Sequence, residues 1–457
     1  MNRIRMSESH YEKLRKHLYP GDGLEAVAIA LCGRSVYESN HTLLVQELLL
    51  VPYEKCFERR PDLVHWPTDI IDEFLVKATQ DNLAILKIHC HPGGYEQFSK
   101  IDDHSDNQLF KSIGAWLDND LPHASCIMLP DGRIFGRFFD SNLDTTAVDQ
   151  IFVSGSDIMN WHYLSANDLD EQLHIRNMQV FGKQTIALLS KMRIGIVGCS
   201  GTGSPVIEQL KRYGVGELVL VDPDFVDKLN LNRIIGSTLN DAENKTLKVV
   251  VMEREIKKVG FGSNTICLPL HVTNKDVVKS LAECDVIISC VDSSEARHIL
   301  NLISTLYLIP LLDLGVKIDV AHDGTITGIF GSVHYIKPGG SSLLSRGQYN
   351  MESVRAEGIR RVDKEEFLRN QYLSQVGESS PAVISINMQV ASTAINELLA
   401  RIHPYRNFGN RDCDVVRIMF SDCTTNYESD SLPCGYFTRL VGKGDISPLL
   451  NNPELSS

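Results

Sequence analysis

His89-Cys90-His91-Pro92 is followed after six residues by Ser99-x-x-Asp102. Residues i and i+2 of a strand share one face, so His89 and His91 project two imidazoles at one point. Pro92 and Gly93-Gly94 end that strand. Ser99 suits a helix N-cap, and Asp102 then lies in the first helical turn, facing back towards it. Two imidazoles, a carboxylate and an open position for water make a catalytic zinc site. A second stretch, Arg193 to Pro205, reads RIGIVGCSGTGSP. A branched apolar run, Arg193–Val197, passes through Gly198, Gly201 and Gly203 into an amphipathic segment, Val206–Tyr213. A strand running through glycines into a helix N-terminus points backbone N–H groups at one spot, where phosphate binds well. The next apolar run, Glu217–Val221, ends at Asp222, placed about 20 residues after the loop to hydrogen-bond a ribose hydroxyl. The glycines are not in dinucleotide order, because Ser204, Pro205 and Val206 follow Gly203. That disfavours a nicotinamide-dependent oxidoreductase.

The elements that must position these residues can be read outwards from them. Leu24–Gly33 is strand-like with Glu25 at its start, and Thr42–Val51 and Leu83–Ile88 are further apolar runs. Ala124–Pro130 and the turn at Asp131–Arg133 complete a small α/β domain near residue 150. Asp140–Asn160 is polar and weakly periodic and reads as a linker. Asp168–Leu189 is helical. Asp285–Cys290 reads as a third strand of the glycine-loop domain and delivers Asp292 to the carboxyl end of the sheet, where ligands of open α/β sheets sit. Pro310–Gly315 is a fourth strand, and Gly328–Ile336 alternates as a strand. Glu352–Tyr372 is charged and helical, Pro381–Arg401 is an amphipathic helix, and Arg411–Asp422 reads as a strand. The fold class is α/β in two modules, the second Rossmann-like with a mostly parallel sheet.

Whole-chain properties narrow the function. At 457 residues, two to three domains are expected. A net charge of -13 argues against a nucleic-acid binder, whose footprint is basic. The N-terminus lacks the apolar core of a signal peptide, and no apolar run approaches the roughly 20 residues of a membrane span. Eleven cysteines without framework spacing read as reduced thiols of a cytoplasmic protein.

The histidine stretch resembles the JAMM (JAB/MPN) metallopeptidases, whose pattern is H-x-H-P, six residues, S-x-x-D, with a glutamate upstream. The resemblance implies His89, His91 and Asp102 as zinc ligands, Glu25 as general base and Ser99 as oxyanion stabiliser. Zinc would lower the pKa of a bound water to about 7 and polarise the scissile carbonyl. His104, just past the motif, is expected to face solvent.

The glycine stretch, with Asp222-x-Asp224, Asn230-x-Asn232-Arg233, Lys248, Cys290-Val291-Asp292 and Arg297, resembles the ThiF/MoeB/E1 adenylating enzymes over residues 176 to 401. The usual loop of that family is G-x-G-G-x-G, and Ser200 stands at its third position here. The resemblance implies that Gly198, Gly201 and Gly203 line the phosphate loop of ATP and that Asp222 holds the ribose. It implies that Asn232, Arg233 and Lys248 neutralise the triphosphate, with Lys245 as a rival to Lys248, and that Asp292 coordinates Mg²⁺. Arg176, in R-N-M-Q-V-F-G, would reach the ATP of the other subunit in a homodimer. Arg297 is a site residue or a salt-bridge partner. Cys423 and Cys434 are the candidates for a thioester, against plain surface thiols, while Cys199 and Cys290 are packing residues. No C-x-x-C pair is present to hold the structural zinc that many ThiF-like proteins carry.

The expected organisation is a peptidase domain over 1–150, a linker over 151–170, an adenylation domain over 171–405 and its extension over 406–457. Both families handle the C-terminal tail of a ubiquitin-like protein. The fusion therefore implies an enzyme that adenylates that tail with MgATP and a zinc peptidase that trims or removes the same protein, with an E2-like protein as a further partner. Such fusions occur in bacterial ubiquitin-like conjugation systems, some tied to phage defence. A sulfur-carrier adenylyltransferase of cofactor or natural-product synthesis and a non-catalytic scaffold are the alternatives.

Overall fold

The apolar runs of the sequence become the central strands of two separate sheets in the computed structural model, which describes residues 1–163, 170–362, 382–430, 432–452 and 455. The chain divides into two compact units. The first holds the residues up to 163 together with Leu306–Leu308 and Val441–Ile446, and the second holds the other described residues.

The first unit is a nine-stranded mixed sheet. In chain order it contains β1 (Asn2–Ser7), α1 (Glu8–Leu18), β2 (Val27–Tyr37), β3 (Asn40–Leu50), a small hairpin of β4 (Glu58–Arg60) and β5 (Leu63–His65), α2 (Asp72–Asp81), β6 (Ala84–Cys90), α3 (Lys100–Leu117), β7 (His123–Met128), β8 (Ile134–Phe139), β9 (Thr145–Ala147), β10 (Gln150–Ser154) and β11 (Met159–His162). The sheet order is β11-β10-β1-β3-β2-β6-β7-β8-β9. β6 is buried throughout and separates two cores. Ala84, Leu86, Ile88 and Cys90 face the side of Tyr11, Leu14 and Leu18 of α1. Ile85 faces Phe74, Leu75 and Ala78 of α2 and Leu109, Phe110 and Ile113 of α3. Strand alternation then puts Lys87 and His89 on the α3 side.

Two expectations are corrected here. The segment read as a linker supplies β9, β10 and β11: Gln150–Ser154 is fully buried and pairs parallel to β1, and Met159–His162 returns antiparallel to it. Its polar flanks hid a strand with neighbours on both sides, which needs no alternation because both its faces are covered. The extension beyond 405 is also divided, for Val441–Ile446 belongs to the first unit. β2 pairs with β6 only as far as Cys32, and Val441–Ile446 takes up the backbone beyond. Asp445 N–H donates to Arg34 O at 2.8 Å and Val36 N–H donates to the Asp445 carboxylate at 2.9 Å.

The second unit is an eight-stranded sheet. It contains α4 (Glu171–Leu189), β12 (Arg193–Val197), α5 (Gly203–Arg212), β13 (Glu217–Val221), α6 (Leu239–Glu243), α7 (Lys248–Val259), β14 (Asn264–Leu268), α8 (Lys275–Ala282), β15 (Val286–Ser289), α9 (Ser294–Tyr307), β16 (Leu311–Val320), β17 (Ile326–Ile336), α10 (Met351–Val362), α11 (Ile384–Ile402), β18 (Val415–Met419) and β19 (Thr424–Glu428). The order is β14-β13-β12-β15-β16-β17-β18-β19. β14 to β16 run parallel, and β17 to β19 are added antiparallel. The chain leaves β12 towards β13 on one side and returns to β15 on the other. That reversal opens the crevice at the carboxyl ends where α/β sheets bind ligands.

β14 escaped the sequence reading, because NTICL is an edge strand only half covered. The helix after the loop starts at Gly203, three residues earlier than its apolar pattern suggested. Gly182 breaks α4 with φ +78°. The parts of the expected helices over 363–372 and at Pro381 lie outside the described residues, as does the preceding turn at Glu378-Ser379-Ser380.

Candidate active sites

In the first unit the histidine stretch closes into one cluster. His89 is the penultimate residue of β6 and His91 directly follows the strand, their rings 5.1 Å apart in an edge-on arrangement. Ser99 caps α3 as expected. Its Oγ accepts the Asp102 N–H at 3.1 Å, and the Asp102 carboxylate accepts the Ser99 N–H at 2.7 Å. This reciprocal box turns Asp102 back over the strand. Asp102 Oδ1 stands 2.9 Å from His89 Nε2 and Oδ2 3.4 Å from His91 Nε2, while Glu25 Oε1 is 3.9 Å from His91 Nε2. Donor atoms of Glu25, His89 and His91 lie within 4.8 Å of one another. His91 Nδ1 meets Tyr95 O at 2.7 Å, which leaves Nε2 for the cluster.

Burial sets the electrostatics. Glu25 is buried just ahead of β2, and that desolvation pushes its carboxyl up to about 8, against the pull of His91. His89 is held below the ordinary histidine range by burial and by Lys87. For Asp102 burial acts upward, but hydrogen bonds with His89 and His91 outweigh it and hold the acid well below the carboxylate range. The residues fit a zinc ion. His89 is 1 % exposed, and its Nδ1 has no hydrogen-bond partner among the described residues. Two imidazoles with carboxylates is a donor set this metal takes. Among the described residues Ser99 Oγ serves as an acceptor, so its proton is available to donate towards the cluster.

In the second unit the glycine loop is shaped by close approaches. A Cβ on Gly203 would lie 1.8 Å from Gly198 O, and one on Gly198, whose φ is +93°, would lie 2.6 Å from Cys290 O. The loop therefore has no room for side chains at these positions, and its backbone is bared at the start of α5. Asp222, 5 % exposed at the end of β13, accepts the Cys199 N–H at 2.7 Å and the Asp224 N–H at 2.9 Å. Both its oxygens are thus engaged in fixing the loop, and burial raises its pKa.

Lys248 opens α7 with Nζ 2.7 Å from Asp224 and 3.7 Å from Asp222. Lys245 instead sits exposed in a turn with φ +47°. The structure thus brings Lys248 to the loop's carboxylates. Arg233 donates from Nη1 to Leu229 O at 2.8 Å and to Asn232 Oδ1 at 3.1 Å, and its Cδ lies 3.3 Å from where a Gly201 Cβ would be. Asp292 is exposed on the loop after β15, whose first residue, Cys290, donates its N–H to Val197 O at 2.8 Å beside the glycine loop. The glycine cradle and these cations fit a nucleotide triphosphate, and the exposed carboxylate fits its magnesium.

Other expected residues separate. Arg297 donates to the buried Asp313 at 3.1 Å, so the structure makes it a salt-bridge partner. Arg176 is exposed on α4 and donates to Gln179 of its own helix at 3.3 Å. Cys423 is exposed, at φ +54° in the turn before β19. Cys434, a thioester candidate weighed against a surface thiol, is buried at 5 % exposed. Burial acts upward on its thiol, but hydrogen bonds from Ser342 and from the Phe437 and Tyr436 N–H groups hold it below the usual range. Cys199 is buried and burial raises Cys290 to about 12, as suits packing residues.

Sequence reasoning missed Asn387 of α11, whose amide nitrogen lies 2.6 Å from the position of a Gly201 Cβ. Nothing local marks it, because the helix is separated from the loop by more than 180 residues.

A model of the ThiF family matches residues 172–431, more than half of the chain, and one of prokaryotic homologs of the JAB domain matches residues 7–139. The chain is 27% identical over 164 residues to adenylyltransferase and sulfurtransferase UBA4 of Meyerozyma guilliermondii, covering 33% of this chain and 38% of the relative. It is 31% identical over 126 residues to ubiquitin-like modifier-activating enzyme 5 of Arabidopsis thaliana (25% and 29%) and 29% identical over 149 residues to SAMP-activating enzyme E1 of Haloferax volcanii (33% and 54%). The chain thus spans about a third to a half of the length of these curated relatives. A solved structure of Escherichia coli MccB with MccA-N7isoASN aligns at TM-score 0.46 and 17% identity, over 60% of this chain and 76% of that one. This chain belongs to the ThiF family, with a JAB-type domain at its N-terminus.

Proposed function

We propose that the ThiF unit adenylates the C-terminal carboxylate of a ubiquitin-like protein with MgATP, and that the JAB unit cleaves the peptide or isopeptide bond after the same tail. The observation that carries the first half is the convergence of Gly198, Gly201, Gly203, Lys248 and Arg233 at the carboxyl ends of β12 and β13. Bared N–H groups and two cations gathered there stabilise charge building on an α-phosphate under attack by a carboxylate. Asp222 holds the loop and the ribose, Asn232 orients Arg233, and Asp292 holds the magnesium. Arg176, exposed on α4, serves the neighbouring subunit of a homodimer.

In the JAB unit His89, His91 and Asp102 would hold zinc, which would supply an activated water and a polarised scissile carbonyl. Glu25, whose proton affinity burial raises, would take the proton of the attacking water and return it to the leaving amine. Ser99 donates its hydroxyl proton to the developing oxyanion. All eleven cysteines are unbridged, in keeping with a cytoplasmic setting, and no helix among the described residues is long and apolar enough to cross a membrane. An E2-like acceptor, a thioester on Cys423 and a role in phage defence complete the reading.

A second reading follows from relatives whose names include sulfurtransferase and sulfur-carrier adenylyltransferase activity: the adenylated tail would then receive sulfur. ATP–pyrophosphate exchange with the purified chain and a candidate ubiquitin-like protein tests the proposal. Exchange that needs the intact tail supports it, and no exchange with a correctly folded pair refutes it. Transfer of sulfide to the tail, in place of transfer to an E2-like protein, would favour the second reading.

A further inference from the structure

One turn beyond the metal cluster, the same strand and helix are joined a second time. Lys87 lies two residues before His89 on the same face of β6, and Asp106 lies four residues after Asp102 on the same face of α3. Lys87 Nζ stands 2.7 Å from Asp106 Oδ1, with side-chain exposures of 4% and 0%. Two rungs thus cross one strand–helix gap, His89 to Asp102 and Lys87 to Asp106. Arg137, on β8, completes the second rung. Its guanidinium gives Nη2 to Asp106 Oδ2 at 2.8 Å and Nη1 to Asp103 Oδ1 at 2.5 Å, and lies 3.8 Å over the Phe98 ring. Phe98, Asp103 and Asp106 bracket the Ser99–Asp102 segment on both sides.

Stability is a poor explanation for this arrangement. Burying a lysine, an aspartate and most of an arginine costs desolvation that their mutual attraction barely offsets, and apolar residues of similar volume would hold the same core at least as well. What the charges add is registry, since a forked guanidinium and a single ammonium accept few alternative positions of the Asp106 carboxylate. A metal ligand set needs that kind of definition, with donors held to within about 0.5 Å. We propose that Lys87, Asp106 and Arg137 are positioning residues, a buried charged hub that fixes the helix bearing Ser99 and Asp102 against the strand bearing His89. The inference rests on the zinc reading of the cluster.

The test is the zinc affinity of the full chain, read by competition with a chromogenic chelator, with H89A marking the signal of a broken site. The neutral triple variant K87M/D106L/R137M keeps volume and removes the charges. Its urea midpoint is expected to be unchanged or higher while its zinc affinity falls about 10- to 100-fold, the range seen when outer-shell partners of a metal site are lost. A folded triple variant that binds zinc as tightly as the wild type overturns the inference. R137M, which leaves the Lys87–Asp106 pair compensated, covers the case in which the triple variant does not fold: its zinc affinity should fall by less, and an unchanged affinity again overturns the proposal. A wild-type chain that takes up no zinc refutes the metal reading and this inference with it, whereas wild-type binding with unaffected variants refutes the hub alone.

Discussion

The two candidate sites are built of different materials. The JAB cluster is made of side chains: three of its four members fall between His89 and Asp102, on one strand end and one helix start, and burial moves their proton affinities. The ThiF loop is made of backbone: its glycines are required by what a Cβ would strike, and its charged partners come from the ends of β13 and β15, the start of α7 and the turn at Asn230–Arg233. The first site is compact in sequence and depends on desolvation. The second is dispersed and depends on close approach. A short motif needs only its own hydrogen bonds to form, here the Ser99–Asp102 box, whereas a dispersed one needs the sheet to be correct first.

Disabling each site separately should give the largest effects. Asp292→Ala should abolish pyrophosphate exchange and leave zinc content and peptide cleavage at wild-type values, and His89→Ala should do the reverse. If either change removes both activities from a folded chain, the two sites are not independent. A smaller effect distinguishes the lysines. Lys248→Met should lower exchange by about 10²- to 10³-fold, the scale of losing one preorganised donor, while Lys245→Met should stay within about twofold. Equal losses would mean that the 2.7 Å pairing of Lys248 with Asp224 has no bearing on catalysis.

The smallest effect is on stability against pH, and it weighs the two units' burial. Burial lowers His123 of the first unit to about 3, and His298 and His334 of the second to about 4 and about 3. An unfolded histidine takes its proton near 6.5, so between that pH and the folded values the unfolded chain binds more protons and stability falls as pH falls. Each such histidine contributes a slope of up to about 1.4 kcal/mol per pH unit, which vanishes below the folded value. Urea midpoints at pH 7, 6, 5 and 4 should show the decline, and His334→Gln should flatten it by one proton. An unchanged slope in that variant would show that His334 is not buried and neutral as described.

Much of this was legible residue by residue. The H-x-H-P and S-x-x-D spacing encodes a strand end and a capped helix, both local, and the structure joins them by the hydrogen bonds that such spacing allows. The glycine loop was legible for a similar reason, since a strand, three glycines and an amphipathic helix are consecutive. Lys248 could not be separated from Lys245 on paper, because a three-residue shift decides only whether the side chain opens α7 or sits in the preceding turn. Arg297 was equally open until Asp313, on another strand, was seen to take it.

By itself, then, the sequence determined the two families, the α/β class and the local motifs, because each rests on contacts between residues near one another in the chain. Features that depend on distant partners emerged only in the packed fold. It turned the expected linker into β10 because β1 offered that segment an edge, and drew Val441–Ile446 to the end of β2 that β6 does not reach. It set Asn387 beside Gly201, and it joined Lys87, Asp106 and Arg137 beneath the histidines. Backbone edges must be paired and buried charges compensated, and which segment does so is fixed by the packed fold rather than by its own composition.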